Sequence, residues 1–128
     1  MAIAFFSIYG VTECSGRSMY PTIEDGDTLL VNTKAMPEDG DILILDVSNM
    51  EGWNNSAIQI VKRYYAGYSA EGYYVIGDNA DGSYDSRDVG KIDKERLIGV
   101  VQCNLSKDRV IDIVIEVFKG FFENRRTE

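Results

Sequence analysis

The nonapeptide Ala57-Ile58-Gln59-Ile60-Val61-Lys62-Arg63-Tyr64-Tyr65 decides how this chain is read. It is rich in β-branched and aromatic residues, and its pattern alternates as a strand requires. Side chains two apart share a face, so Lys62 lies with Ile58, Ile60 and Tyr64, and Arg63 points the other way. An ammonium on an apolar face is poorly solvated, which favours its neutral form and suits it to act as a base. Taken alone, the strand allows a second reading: the lysine stem lies along the sheet and the charge reaches water.

Outward from this strand, Gly26, Pro37, Gly40, Gly52, Gly67, Gly72, Gly77, Gly82 and Gly90 separate short apolar runs. Such frequent turn signals predict many short strands, the clearest at 28–32, 41–47, 57–65, 72–76 and 97–102. At Val110–Phe122 the period changes. Asp112, Glu116 and Lys119 fall on one side and the remaining positions are mostly apolar, which predicts a broad-faced amphipathic helix at 108–123. Its apolar arc is wide enough for docking on its own sheet or for contact with a protein partner or a membrane surface. The expected architecture is mostly β, one domain over residues 1–128. It has an apolar N-terminal segment (1–13), a core (14–102) and a C-terminal amphipathic helix.

Composition narrows the chemistry. The chain has 128 residues, 45% apolar and 27% charged, as expected for one globular domain rather than a disordered or multi-span membrane protein. Its net charge of −8 repels phosphate backbones, so nucleic acid is not an expected partner. Only Asn124-Arg125-Arg126 hints at a basic patch. The apolar run at 2–9 is well short of the ~18 residues that span a bilayer and has no basic leader, so no anchor is expected. There is no histidine, which removes the usual base near neutral pH and the commonest zinc ligand. Acid–base work therefore falls to Lys, Asp, Glu or Tyr. Cys14 and Cys103 form no CxxC pair, and buried thiols or a single disulfide both fit them. No cofactor or metal is expected.

Two further segments carry chemistry. In Ser15-Gly16-Arg17-Ser18-Met19-Tyr20-Pro21-Thr22, Gly16 and Pro21 bracket Ser18 in a turn that would expose its hydroxyl and turn its N–H inward. The polar loop at 77–90 contains Gly77-Asp78-Asn79, Ser83 and Asp85-Ser86-Arg87. Aligned as an EF-hand with Gly82 at position six, it has Gly77 where the first aspartate belongs and Asp88 where the closing glutamate belongs, so calcium is disfavoured. It also lacks the Asp-Thr/Ser-Gly signature of an aspartic-protease dyad.

Together, in order, these segments resemble the type I signal peptidases, and more distantly the LexA/UmuD self-cleaving proteins. Ser18-Met19-Tyr20-Pro21-Thr22 looks like the nucleophile box, Val61-Lys62-Arg63 like the base strand, and Gly77-Asp78-Asn79 through Gly90 like the third box. Gly40-Asp41-Ile42 and Ile98-Gly99 sit at familiar places, and the match covers roughly 14–102. The resemblance implies coiled, partly barrel-like β-sheets and a serine endopeptidase cutting a protein or peptide after small residues, at Ala-x-Ala-like sites. It implies Ser18 as nucleophile, Lys62 as base, Ser83 as the hydroxyl orienting Lys62, and Asp85 and Arg87 as a supporting ion pair. Gly16, Ser18 and Met19 would line the oxyanion and substrate site. Some relatives place a serine where Gly16 stands, so the second oxyanion donor is open.

Two departures accompany the resemblance. The usual anchor helix is missing or reduced to residues 2–9, and the interval from Lys62 to Gly77 is too short for the extra β-domain of larger relatives. The family is membrane-associated, whereas this sequence has no complete spanning helix, and a cytoplasmic location fits it too. Two alternatives stand beside the trans-acting peptidase. One is LexA/UmuD-like self-cleavage, for which only 17 residues precede Ser18 and the Ala66-Gly67 bond lies downstream. The other is a non-catalytic binding module that docks a partner on Val110–Phe122.

Overall fold

The computed structural model describes residues 2–5, 8–53 and 58–122. Seven strands are present: β1 (Ala2–Phe5), β2 (Tyr9–Glu13), β3 (Thr28–Asn32), β4 (Ile42–Asp46), β5 (Gln59–Tyr64), β6 (Val75–Ile76) and β7 (Leu97–Asn104). They form one sheet in the order β1-β2-β3-β7-β4-β5-β6, with every neighbouring pair antiparallel. Helices are a minor component, chiefly α1 (Ser86–Val89) and α2 (Val110–Phe122). The fold is mostly β, as the glycine-punctuated pattern predicts.

The barrel-like expectation is not met as a closed barrel. Among the described residues the sheet ends on β1 and β6, and no pairing joins these edges. Register shifts interrupt the β1–β2, β3–β7 and β4–β7 pairs, and an extra residue of this kind bends a strand and increases its twist. The N-terminal segment also differs from its reading. Ala2–Phe5 pairs with β2, and Tyr9–Glu13 pairs residue for residue with β3, from Tyr9↔Asn32 to Glu13↔Thr28. Tyr-Gly-Val-Thr-Glu carries too few apolar residues to stand out as a strand; its pairing with the long run of β3 makes it one.

The strand expected at 72–76 shrinks to Val75–Ile76. Tyr73 exchanges both backbone hydrogen bonds with Ile92 (2.7 and 2.8 Å), which draws the preceding residues to a different partner. Ala57, placed at the start of the expected 57–65 strand, lies outside the described residues.

Because β7 sits at the centre of the sheet, its neighbours pack on both faces. Leu43, Leu45, Val47, Ile60, Val75, Ile92 and Val100 form one cluster; Met19, Ile23, Leu29, Val31 and Ile44 form another. Each such side chain contributes roughly 1.5–3 kcal/mol on burial, so the two clusters fix the strand register. Helix α2 docks through Ile113 and Val117 onto Tyr9, Leu30 and Cys103. Gly120, which weakens a helix by propensity, is required by packing: a Cβ there would run into the Tyr9 hydroxyl. The outer arc of α2 stays exposed, with Val110, Ile111, Val114, Ile115 and Phe118 open to solvent. Cys14 and Cys103 are buried free thiols in separate clusters.

Candidate active site

The Ser18 turn is built on the β2–β3 hairpin. Cys14 N–H donates to Asp27 O (2.7 Å) and Gly26 N–H to Cys14 O (2.8 Å), so the chain leaves the ladder at a fixed point. Gly16 N–H then donates to Asp25 Oδ1 (2.8 Å), Tyr20 N–H to Arg17 O and Ile23 N–H to Met19 O. Met19 is buried, 1% exposed, and anchors the turn from beneath; it does not line the cleft. Ser18 is half-buried above it. Its N–H has no hydrogen-bond partner among the described residues, which leaves a donor for a developing oxyanion.

Lys62 arrives on β5, which β7 and β4 separate from β3 in the sheet. It pairs with Leu43 across β4–β5 and is only 5% exposed. Burial pushes its ammonium below the ordinary lysine value, and the negative field of Asp85, with a smaller contribution from Cys14, opposes this without cancelling it. Among the described residues it makes no salt bridge. Ser18 and Lys62 line one cleft of about 620 Å³. No hydrogen bond joins Ser18 Oγ to Lys62 Nζ.

The loop after β6 packs directly against the Ser18 turn. Asn79 N–H donates to Ser18 O (2.9 Å) and Asn79 Nδ2 to Arg17 O (3.0 Å). Gly77 sits beneath both segments: a Cβ there would lie 2.5 Å from Ser18 O and run into Ser83. Within the loop, Asp85 is fully buried and forms a bidentate ion pair with Arg87 (2.9 and 3.0 Å). It also accepts from Ser83 Oγ (2.5 Å) and from Gly77 N–H (2.9 Å), and caps α1. Burial alone would raise its pKa; the bonds from Arg87, Ser83 and Gly77 outweigh that and hold it at about 2. The Ser83 proton thus goes to Asp85, while its oxygen remains able to accept. No hydrogen bond links Ser83 to Lys62.

Three segments distant in sequence thus converge on one cleft. A family profile described as Peptidase S24-like matches residues 8–102, which contain all three. The chain belongs to the Peptidase S24-like family. This agrees with the likeness to LexA/UmuD and signal peptidases carried by the three segments. No curated protein matches the chain. No helix among the described residues is long and apolar enough to cross a membrane.

For an S24-like chain the site holds several residues that the sequence reading passed over. Asp78 joins the two halves: it accepts from Arg63 at 2.8 and 2.7 Å and from Thr22 Oγ1 at 2.6 Å, while Arg63 also donates to Gly40 O (2.7 Å). Arg63 facing away from Lys62 was legible from alternation; its carboxylate partner fifteen residues on was not. Cys14 lines the same cleft, its thiol pushed up by burial and by Asp27. Trp53 and Tyr84 also line the cleft and meet each other, a contact between loops that no local pattern announces.

Proposed function

We propose that this S24-like chain is a serine endopeptidase that acts on protein or peptide substrates with Ser18 as nucleophile and Lys62 as general base. The observation that carries the reading is the buried Lys62, its ammonium pushed below the ordinary lysine value, opening onto the same cleft as Ser18. Neutral Lys62 takes the Ser18 proton as Oγ attacks the scissile carbonyl. The Ser18 N–H receives the oxyanion, and protonated Lys62 returns its proton to the leaving amine. Water then hydrolyses the acyl-serine with Lys62 again acting as base. The resemblance to type I signal peptidases supports cleavage after small side chains in Ala-x-Ala-like sequences.

Asp85, Arg87 and Ser83 act as the support of this pair. The ion pair fixes the loop, and the carboxylate field favours the protonated Lys62 that forms once it has taken the Ser18 proton. The test is incubation with an Ala-x-Ala peptide followed by mass spectrometry of the products. Wild type should cleave it, and Ser18→Ala and Lys62→Ala should each lose at least about a thousandfold in rate. Equal cleavage by either variant would sink the proposal. The LexA/UmuD likeness supports a second reading, cleavage of the chain by itself. It predicts a loss of intact mass on long incubation at raised pH, absent in Ser18→Ala.

A further inference from the structure

The lining of the cleft is mixed in chemistry. Thr12 and Glu13 at the end of β2, and Ser15 and Arg17 in the Ser18 turn, are polar. Ile58, Trp53 and Tyr84 give the same cleft an apolar wall. Ile58 is 68% and Tyr84 48% exposed, so both offer apolar surface to the cleft, whereas Trp53 is buried behind. This wall is built rather than loose. Tyr84 OH donates to Gly52 O (2.5 Å), and its ring meets Trp53 edge-on at 5.1 Å and 83°. A Cβ at Gly52 would lie 2.7 Å from Val89 Cγ1, so the 48–53 loop is pressed against α1. On its other side Tyr84 is held between Ser83 and Asp85, both fixed by hydrogen bonds. Val47 N–H donates to Ile58 O (2.8 Å), which secures the far end. A tyrosine held at both ends has little rotamer entropy left to lose when an apolar group covers it.

We infer that Tyr84, braced by Trp53 and Gly52, is a specificity-determining residue that takes a bulky apolar side chain of the substrate next to the segment being cut. This deepens the endopeptidase reading and rests on it. The substrate class is an extended polypeptide that places a small residue at the scissile bond and a Phe- or Leu-sized residue a few positions away. Selection at such a wall is worth about tenfold or more in kcat/KM, the usual scale for an apolar pocket.

The experiment uses alanine-based peptides in which one Phe is moved through each position flanking an Ala-x-Ala site. Wild type should prefer Phe over Ala at one position by about tenfold, and Tyr84→Ala should bring that ratio towards one while Tyr84→Phe keeps it. Taking the ratio removes any general loss of activity. A flat wild-type profile, or a preference unchanged in Tyr84→Ala, overturns the inference, and so does loss of the preference in Tyr84→Phe, which would assign the hydroxyl brace alone. A binding measurement separates this result from failure of the catalytic reading. The chain has one tryptophan, Trp53 in this wall, so peptide titrations of Ser18→Ala followed by its emission read binding without turnover. The Phe peptide should bind at least about fivefold more tightly than the all-Ala peptide, and equal binding overturns the inference even if nothing is cleaved. If Tyr84→Ala loses the emission of a buried tryptophan, Tyr84→Lys replaces it, and preference should move from Phe to Glu.

Discussion

Lys62 shows how burial sets chemistry at a single residue. Its ammonium is held below the ordinary value of 10.5, chiefly by desolvation. The peptidase rate should therefore rise with pH as Lys62 loses its proton and level off before pH 10.5, as a kcat/KM profile would show. A profile still climbing past that value would mean that an unperturbed lysine is acting. Stability has a matching sign: between the lowered pKa and 10.5 the unfolded chain binds more protons, so this group makes the fold more stable as pH rises through that window. Asp85 runs the other way. Its pKa of about 2 lies below the reference 3.8, so it contributes roughly 2 kcal/mol that is fully present above 3.8 and lost as pH falls towards 2. Urea denaturation should find Asp85→Asn less stable by about that amount at neutral pH, with the gap to wild type closing near pH 2.

Between elements, the decisive contact is the one the loop after β6 makes with the Ser18 turn. Asn79 bonds the Ser18 carbonyl, Asp78 ties Thr22 to Arg63 on β5, and Gly77 leaves room for both segments to meet. Gly77→Ala places a methyl 2.5 Å from Ser18 O, and backbone cannot yield as a flexible side-chain end can. The substitution should cost about 1–3 kcal/mol of stability in urea denaturation and lower kcat/KM at least tenfold, because it moves Ser18, the proposed nucleophile, relative to Lys62. An enzyme with wild-type kinetics would show that the two segments are not rigidly coupled.

At the scale of the whole molecule, packing buries both cysteines, Cys14 at the lining of the cleft and Cys103 on β7. Cys14 is 7% and Cys103 6% exposed, and burial raises both thiols, Cys103 to about 11. Both low access and low thiolate content slow attack on a disulfide reagent. A water-soluble aromatic disulfide should label neither thiol at neutral pH on the timescale of mixing, and both after denaturant. Slow native labelling should follow the unfolding rate, and a prompt reaction of either cysteine would show that its cluster is open.

Much of this protein follows from local pattern. Period-two alternation placed Lys62 and Arg63 on opposite faces of β5, and glycine spacing announced a mostly β fold. The order of three segments pointed to relatives among the signal peptidases and LexA/UmuD proteins, and the S24-like match agrees at the level of the family. These features depend on residues near in sequence or on motifs of fixed order, so they survive without coordinates. Tertiary structure decided the rest. It made 9–13 a strand by pairing it with β3, left the sheet open, and turned Gly120 from a helix breaker into a contact with Tyr9. It joined Asp78 to Thr22 across fifty-six residues and set Trp53 against Tyr84 on the wall of the cleft. Such contacts depend on how the sheet coils and where loops meet, and that is set by the packing of two clusters on either face of the sheet rather than by any local run of residues.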